Sequence, residues 1–155
     1  MPSAGPIGAP RKPPRCAVFI DRNSGGRLFR GLIERAGIEV HLHDEQFRPK
    51  TEDPEWLARL GASGWLLVSG DNDMTRQPLF LRQLAESKAH VFVLHALNGA
   101  SSEDKATCIV RAYDRMCELA ADQVPPALWR VGKDGVARPF DFRGTLKRMK
   151  RGGKI

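Results

Sequence analysis

The chain has no hydrophobic run approaching the roughly 18 apolar residues that a membrane-crossing helix needs, although hydrophobic residues make up 41% of its 155 positions. Its opening stretch, MPSAGPIGAPRKPPR, lacks the apolar centre of a secretory signal and reads as a disordered, basic, Pro/Gly-rich lead-in over residues 1–15. Cysteine is scarce as well. Cys16, Cys108 and Cys117 are odd in number and show neither CxxC spacing nor a Cys/His pattern, which argues against a disulfide framework and a zinc site. Three buried thiols in a reducing, cytoplasmic setting are expected instead. No internal repeat is present, so a solenoid is excluded and one domain of ordinary size is expected.

Charge is abundant but unevenly placed. The formal net charge is +7. From residue 130 to the end there are nine Lys/Arg against two Asp, which accounts for all of it, and residues 1–129 balance at 16 of each sign. The ending GTLKRMKRGGK is expected to be a flexible basic tail over 141–155, because like charges repel and apolar residues are few. It serves either as a solubiliser or as a sequence-independent grip on phosphate through Lys147, Arg148, Lys150 and Arg151.

Between the ends, short apolar runs alternate with segments of helical period. CAVFI (16–20), IEVHL (38–42), WLLVS (65–69) and HVFVLHAL (90–97) read as buried strands. The segment after the first run is expected to form a helix that turns Leu28, Leu32 and Ile33 inward, with Phe29 beside them. PEWLARLG is a short helix with Asp53 as its N-cap and Pro54 in its first turn. PLFLRQLAESK would carry Leu79, Phe80 and Leu84 to the core. The longest helix opens on the capping pair Ser101 and Asp104. ALWRV and GVARPF form either a last strand or a small hairpin. This alternation predicts a three-layer α/β/α sandwich on a mainly parallel, Rossmann-type sheet, with right-handed crossovers fixing its general build.

In such sheets the working site lies beyond the carboxyl ends of the strands, near the point where strand order reverses. Asp21 directly follows the first strand and Asp71 the third, with Asp73 two residues further on. Asp44 and Glu45 follow the second strand, and Asp53 lies in the segment leading out of it. Clustered carboxylates repel unless neutralised, and an oxygen-only set without His or Cys suits Mg²⁺ or Mn²⁺. Taken singly, each acid is equally a turn former or a cap, Asp53 above all. Asp71-Asn-Asp73 is not a calcium loop, since the following Gly and the distant Glu are missing. Coincidence at one sheet edge favours a shared metal site, and acids with basic flanks point to a nuclease. Arg22, Asn23 and Arg76 are close enough in sequence to contact phosphate, and Arg22 is equally placed to pair with Asp44 or Glu45. His41 and His43 share a face and are read as structural. Trp56, Trp65 and Trp129 are read as core residues, although an exposed Trp129 would stack on a base.

The pieces VFIDRN, HLHDEQFRPKTEDPEWL, GWLLVSGDNDM and VFVLHAL, in that order, resemble the PIN-like domains over roughly residues 16–137, and in particular a bacterial branch related to VapC-type toxins. The resemblance implies a Mg²⁺- or Mn²⁺-dependent ribonuclease acting on RNA. It casts Asp21, Asp53 and Asp71 as catalytic metal ligands, Asp73 as a further ligand, and Asp44 and Glu45 as secondary candidates. It also implies an antitoxin partner and a homodimer. Ser69-Gly70 replaces the Thr-Arg that often precedes the third-strand acid, and Arg22 stands where some relatives carry a second acid. Three other readings are consistent with parts of the pattern. A topoisomerase-primase-type domain would want Glu in place of Asp21. A receiver domain would want tandem acids after the first strand. A PIN-like scaffold with a degraded site would only bind nucleic acid or protein.

Overall fold

The computed structural model describes residues 16–21, 27–42, 53–70, 72–94 and 100–152, with the side chains of residues 53, 54, 56 and 72 outside that description. The strands are β1 (Val18–Ile20), β2 (Val40–Leu42), β3 (Leu66–Ser69), β4 (His90–Leu94), β5 (Ala127–Val131) and β6 (Ala137–Pro139). The helices are α1 (Arg27–Arg35), α2 (Asp53–Ser63), α3 (Pro78–Ala85), α4 (Ser102–Asp122) and α5 (Phe142–Arg151), with a 3₁₀ turn at Asn72–Arg76. The strands form one sheet in the order β2-β1-β3-β4-β5-β6, parallel throughout except for the β5–β6 hairpin. The expected α/β/α sandwich is thus present, and ALWRV and GVARPF resolve as a hairpin.

Strand alternation divides the interior in two. Val18, Ile20, Val68, Phe92, Leu94, Trp129 and Val131 face one way and pack under α1 and α4. Phe19, Leu67, Val91, Val93 and Leu128 face the other way and pack under α2, α3 and α5. Two helical stripes are rotated relative to expectation. Leu28 is 56% exposed, and α1 buries Phe29 and Ile33 instead, with Leu32 half-buried. Leu79 is 58% exposed, and α3 buries Phe80, Leu81 and Leu84. In each helix one apolar residue of the first turn faces solvent rather than the sheet. Period alone cannot choose between adjacent apolar positions, and the sheet beneath makes that choice.

Chain direction and helix placement correct a further expectation. The β1–α1–β2 connection runs toward the β2 edge with α1 on the first face. Connections β2–α2–β3 and β3–α3–β4 run toward the opposite edge with their helices on the second face, so all three share one hand. Connection β4–α4–β5 also runs toward that edge, yet α4 lies on the α1 face and packs against α1. Its hand is opposite to the other three, and the crossovers are not uniformly right-handed. The second face of β4 and β5 therefore receives no crossover helix of its own from α4.

α5 fills that space. Within the segment expected to be a flexible tail from 141 onward, Phe142–Arg151 form a helix, capped where Asp141 accepts a hydrogen bond from the Gly144 N–H at 2.9 Å. Phe142 is buried, and Leu146 and Met149 pack against the same cluster while Lys147, Arg148, Lys150 and Arg151 are exposed. Apolar residues at the spacing 142, 146 and 149 are enough to order a basic helix when a hydrophobic sheet face lies open beside it. The lead-in lies outside the described residues. Among the described residues, no helix is long and apolar enough to cross a membrane.

Candidate functional site

The strand order reverses at β1, whose neighbours β2 and β3 are reached by opposite crossovers. This switch point is where a parallel sheet opens a crevice at its carboxyl edge. Asp21 is the first residue beyond β1 there, and its N–H donates to the Val68 carbonyl at 3.3 Å. Phe19 belongs to the core under α2, and Asp21, two residues on, lies on that same face. Its carboxylate is only 9% exposed and accepts a 2.6 Å hydrogen bond at Oδ2 from the Ser69 hydroxyl, which is itself fully buried at the end of β3. A short bond from a buried donor fixes the carboxylate's orientation.

α2 connects β2 to β3, so it passes over the intervening β1 on the second face. Successive parallel strands require it to run antiparallel to them, which puts its first residue, Asp53, toward the carboxyl edge of the sheet. The Asp53 side chain lies outside the described residues. Asp71 lies outside them too, two positions beyond Ser69 in sequence. So do Asp44, Glu45, Arg22, Asn23, His43 and His95. Asp73 is exposed on the 3₁₀ turn and forms an ion pair with Arg76 at 3.8 Å, both side chains being more than 70% exposed. Arg76, expected to contact phosphate, thus has an acid beside it. So exposed a pair contributes less than about 1 kcal/mol.

Among the described residues, no group of three His, Cys, Asp or Glu side chains gathers as a metal site. What the described part of the edge supplies is one shielded carboxylate held by a hydroxyl. Its donor chemistry is oxygen alone, which fits a hard divalent cation rather than zinc.

Three polar residues that the sequence reading left without a role belong to this edge. Ser69 appeared there only as a departure from a motif, whereas its hydroxyl holds Asp21. Thr75 is 1% exposed on the 3₁₀ turn and accepts a hydrogen bond at 3.4 Å from an Nη of Arg130 on β5. Arg130 also lies over the Phe140 ring at 4.5 Å. The available signal was a lone cation inside the apolar run ALWRV.

The aromatic and thiol expectations divide. Trp129 is buried and stacks on Phe92 at 4.6 Å, so it is not available for a base. His41 stacks on the half-buried Trp65 at 3.9 Å and lies 2.6 Å from a Glu39 carboxylate oxygen, a local structural arrangement. All three cysteines are free, with Cys108 and Cys117 buried and Cys16 half-buried. Burial, reinforced by the neighbouring Cys117, pushes the Cys16 thiol up to about 11, and burial also raises that of Cys108.

The fold is a mainly parallel α/β sandwich with a shielded carboxylate at its switch point. The family model for the PIN like domain matches residues 16–96, more than half of the chain, and the chain belongs to that family, whose members are often nucleases. The match spans β1 to β4 and includes Asp21, Asp53, Ser69, Asp71 and Asp73. No curated protein and no solved structure matches the chain.

Proposed function

We propose that the protein is a metal-dependent ribonuclease that hydrolyses RNA phosphodiester bonds at the carboxyl edge of β1 and β3. The observation that carries this reading is the Asp21 carboxylate, shielded from solvent and oriented by Ser69 at the switch point of a PIN-like sheet. Asp21, Asp53 and Asp71 would hold Mg²⁺ or Mn²⁺, with Asp73 as a further ligand. When bound, such a cation lowers the pKa of water and neutralises charge on the phosphodiester. Ser69 keeps the Asp21 oxygens in one orientation, so that the carboxylate need not reorganise when it is used. The exposed Lys147, Arg148, Lys150 and Arg151 supply a sequence-independent attraction for the RNA backbone from the second face.

The test is cleavage of a mixed RNA pool with Mg²⁺ or Mn²⁺ by wild type, Asp21→Asn and Asp71→Asn, alongside calorimetric titration with Mn²⁺. Each variant is expected to lose at least about 100-fold in cleavage rate and to bind Mn²⁺ more weakly. RNA binding by a wild type that neither cleaves nor takes up Mn²⁺ would replace this reading with that of a binding module. The ion pair of Asp73 with Arg76, which engages one of the four acids, is the observation that favours that second reading.

A further inference from the structure

Register places four residues in one line across the carboxyl edge of the second face. Ile20 pairs with Val68, so Asp21 lies beside Ser69; Ser69 pairs with Val93, and Val93 pairs with Arg130. Phe19, Leu67, Val93 and Leu128 all belong to the second-face core, and alternation puts Asp21, Ser69 and Arg130 on that side with them. Neighbouring strands are about 4.8 Å apart, so the Arg130 backbone stands roughly 14 Å from that of Asp21. The row therefore presents a carboxylate, a hydroxyl, an apolar residue and a guanidinium in that order.

Arg130 is unusual in its partners. It is half-buried, and among the described residues its guanidinium makes one hydrogen bond, at 3.4 Å to the Thr75 hydroxyl, besides lying over Phe140. No carboxylate among the described residues pairs with it, and its Nε is buried without an acceptor. A partly desolvated cation without a counter-ion is costly, and the cost is relieved when an anion comes to it. Phe140 below and Thr75 beside it hold the planar group in one orientation. Such a preorganised fork matches phosphate better than the exposed, flexible lysines of α5 do.

We propose that Arg130 binds a backbone phosphate of the nucleic-acid strand, one displaced along the strand from the phosphate at Asp21. The separation of the two residues lets Asp21 and Arg130 address different phosphates, so Arg130 sets the path of the strand across the sheet edge. The proposal rests on the ribonuclease reading for the identity of the ligand, and Arg130 lies outside the segment that matches the family.

The test uses full-length protein in EDTA, with binding of a labelled single-stranded RNA followed by anisotropy over a range of salt. Arg130→Met keeps the packing on Phe140 and removes the charge. It is expected to weaken binding about tenfold and to flatten the slope of log affinity against log salt by about 0.7, with Arg130→Lys losing less affinity and keeping the slope. In a second arm, inorganic phosphate should raise the melting temperature of wild type and of Asp21→Asn above that in chloride at equal ionic strength, but not that of Arg130→Met. Arg130→Met that binds RNA as wild type does, or that keeps its protection by phosphate, overturns the proposal. If Arg130→Met fails to fold, Arg130→Lys decides: a melting temperature and RNA affinity both unchanged from wild type make the arginine fork dispensable and overturn the proposal. Should wild type not bind RNA while phosphate protection still depends on Arg130, the anion site stands and the ribonuclease reading falls.

Discussion

The two faces of the sheet are built from the same strands and differ in what they bury. Under α1 and α4 the core is apolar and aromatic, with Phe29, Phe92 and Trp129 packed against the long face of α4. Under α2, α3 and α5 the core is also apolar near the middle of the strands, but toward their carboxyl ends it gives way to Asp21, Ser69 and Arg130. The buried polar residues described are Asp21, Ser69 and Thr75, and all belong to this second edge or to the turn that follows it. A buried polar group costs stability unless it is satisfied, and its confinement to one edge of one face is what makes that edge the candidate site. The first face carries the larger apolar cluster; the second pairs a smaller one with a polar rim.

Substitutions on the two faces should separate accordingly. The largest effect belongs to the first face: Phe92→Ala removes a fully buried ring stacked on Trp129 and should cost about 3–5 kcal/mol in urea denaturation. If it costs less than about 1 kcal/mol, the first face is not the main source of cohesion. On the second face, Ser69→Ala should do the reverse. Affinity for Mn²⁺, read by calorimetry, should fall by about 10- to 100-fold through the loss of the bond that orients Asp21, while stability falls by about 1–3 kcal/mol, less than at Phe92. Equal loss of stability at both positions would erase the contrast. The smallest effect is expected at the start of α5, where Asp141→Ala removes the cap and should cost about 1 kcal/mol. Unchanged stability with an unchanged near-ultraviolet circular dichroism spectrum would mean that packing on the sheet, rather than the cap, holds α5.

Much of the architecture could be read in advance because strands with two buried faces are written as unbroken apolar runs. VFI, LLVS and HVFVL each appear as such, and each became a parallel strand of the sheet. Capping chemistry was equally legible, since Ser101 accepts the Asp104 N–H at 3.1 Å as the spacing required. The orientation of α1 and α3 was less so, because Leu28 and Phe29, or Leu79 and Phe80, are interchangeable to a periodic pattern. The basic ending misled for a related reason. Its charge is conspicuous in the sequence, whereas the open sheet face that captures Phe142, Leu146 and Met149 exists only after α4 has crossed on the other side.

The sequence by itself determined the α/β alternation and placed Asp21, Asp71 and Asp73 directly after strand-like runs, since strand ends and acids are both local features of the chain. Only the tertiary structure decided that Ser69 holds Asp21, that α2 crosses β1 on the second face, and that Arg130 shares the row of Asp21 and Ser69. Those relations depend on strand order and register, which join residues 48 positions apart in the case of Ser69 and Asp21. Hydrophobic patterning specifies which residues are buried, but lateral neighbours across a sheet are set by the crossovers, and these are fixed only when both faces have been covered.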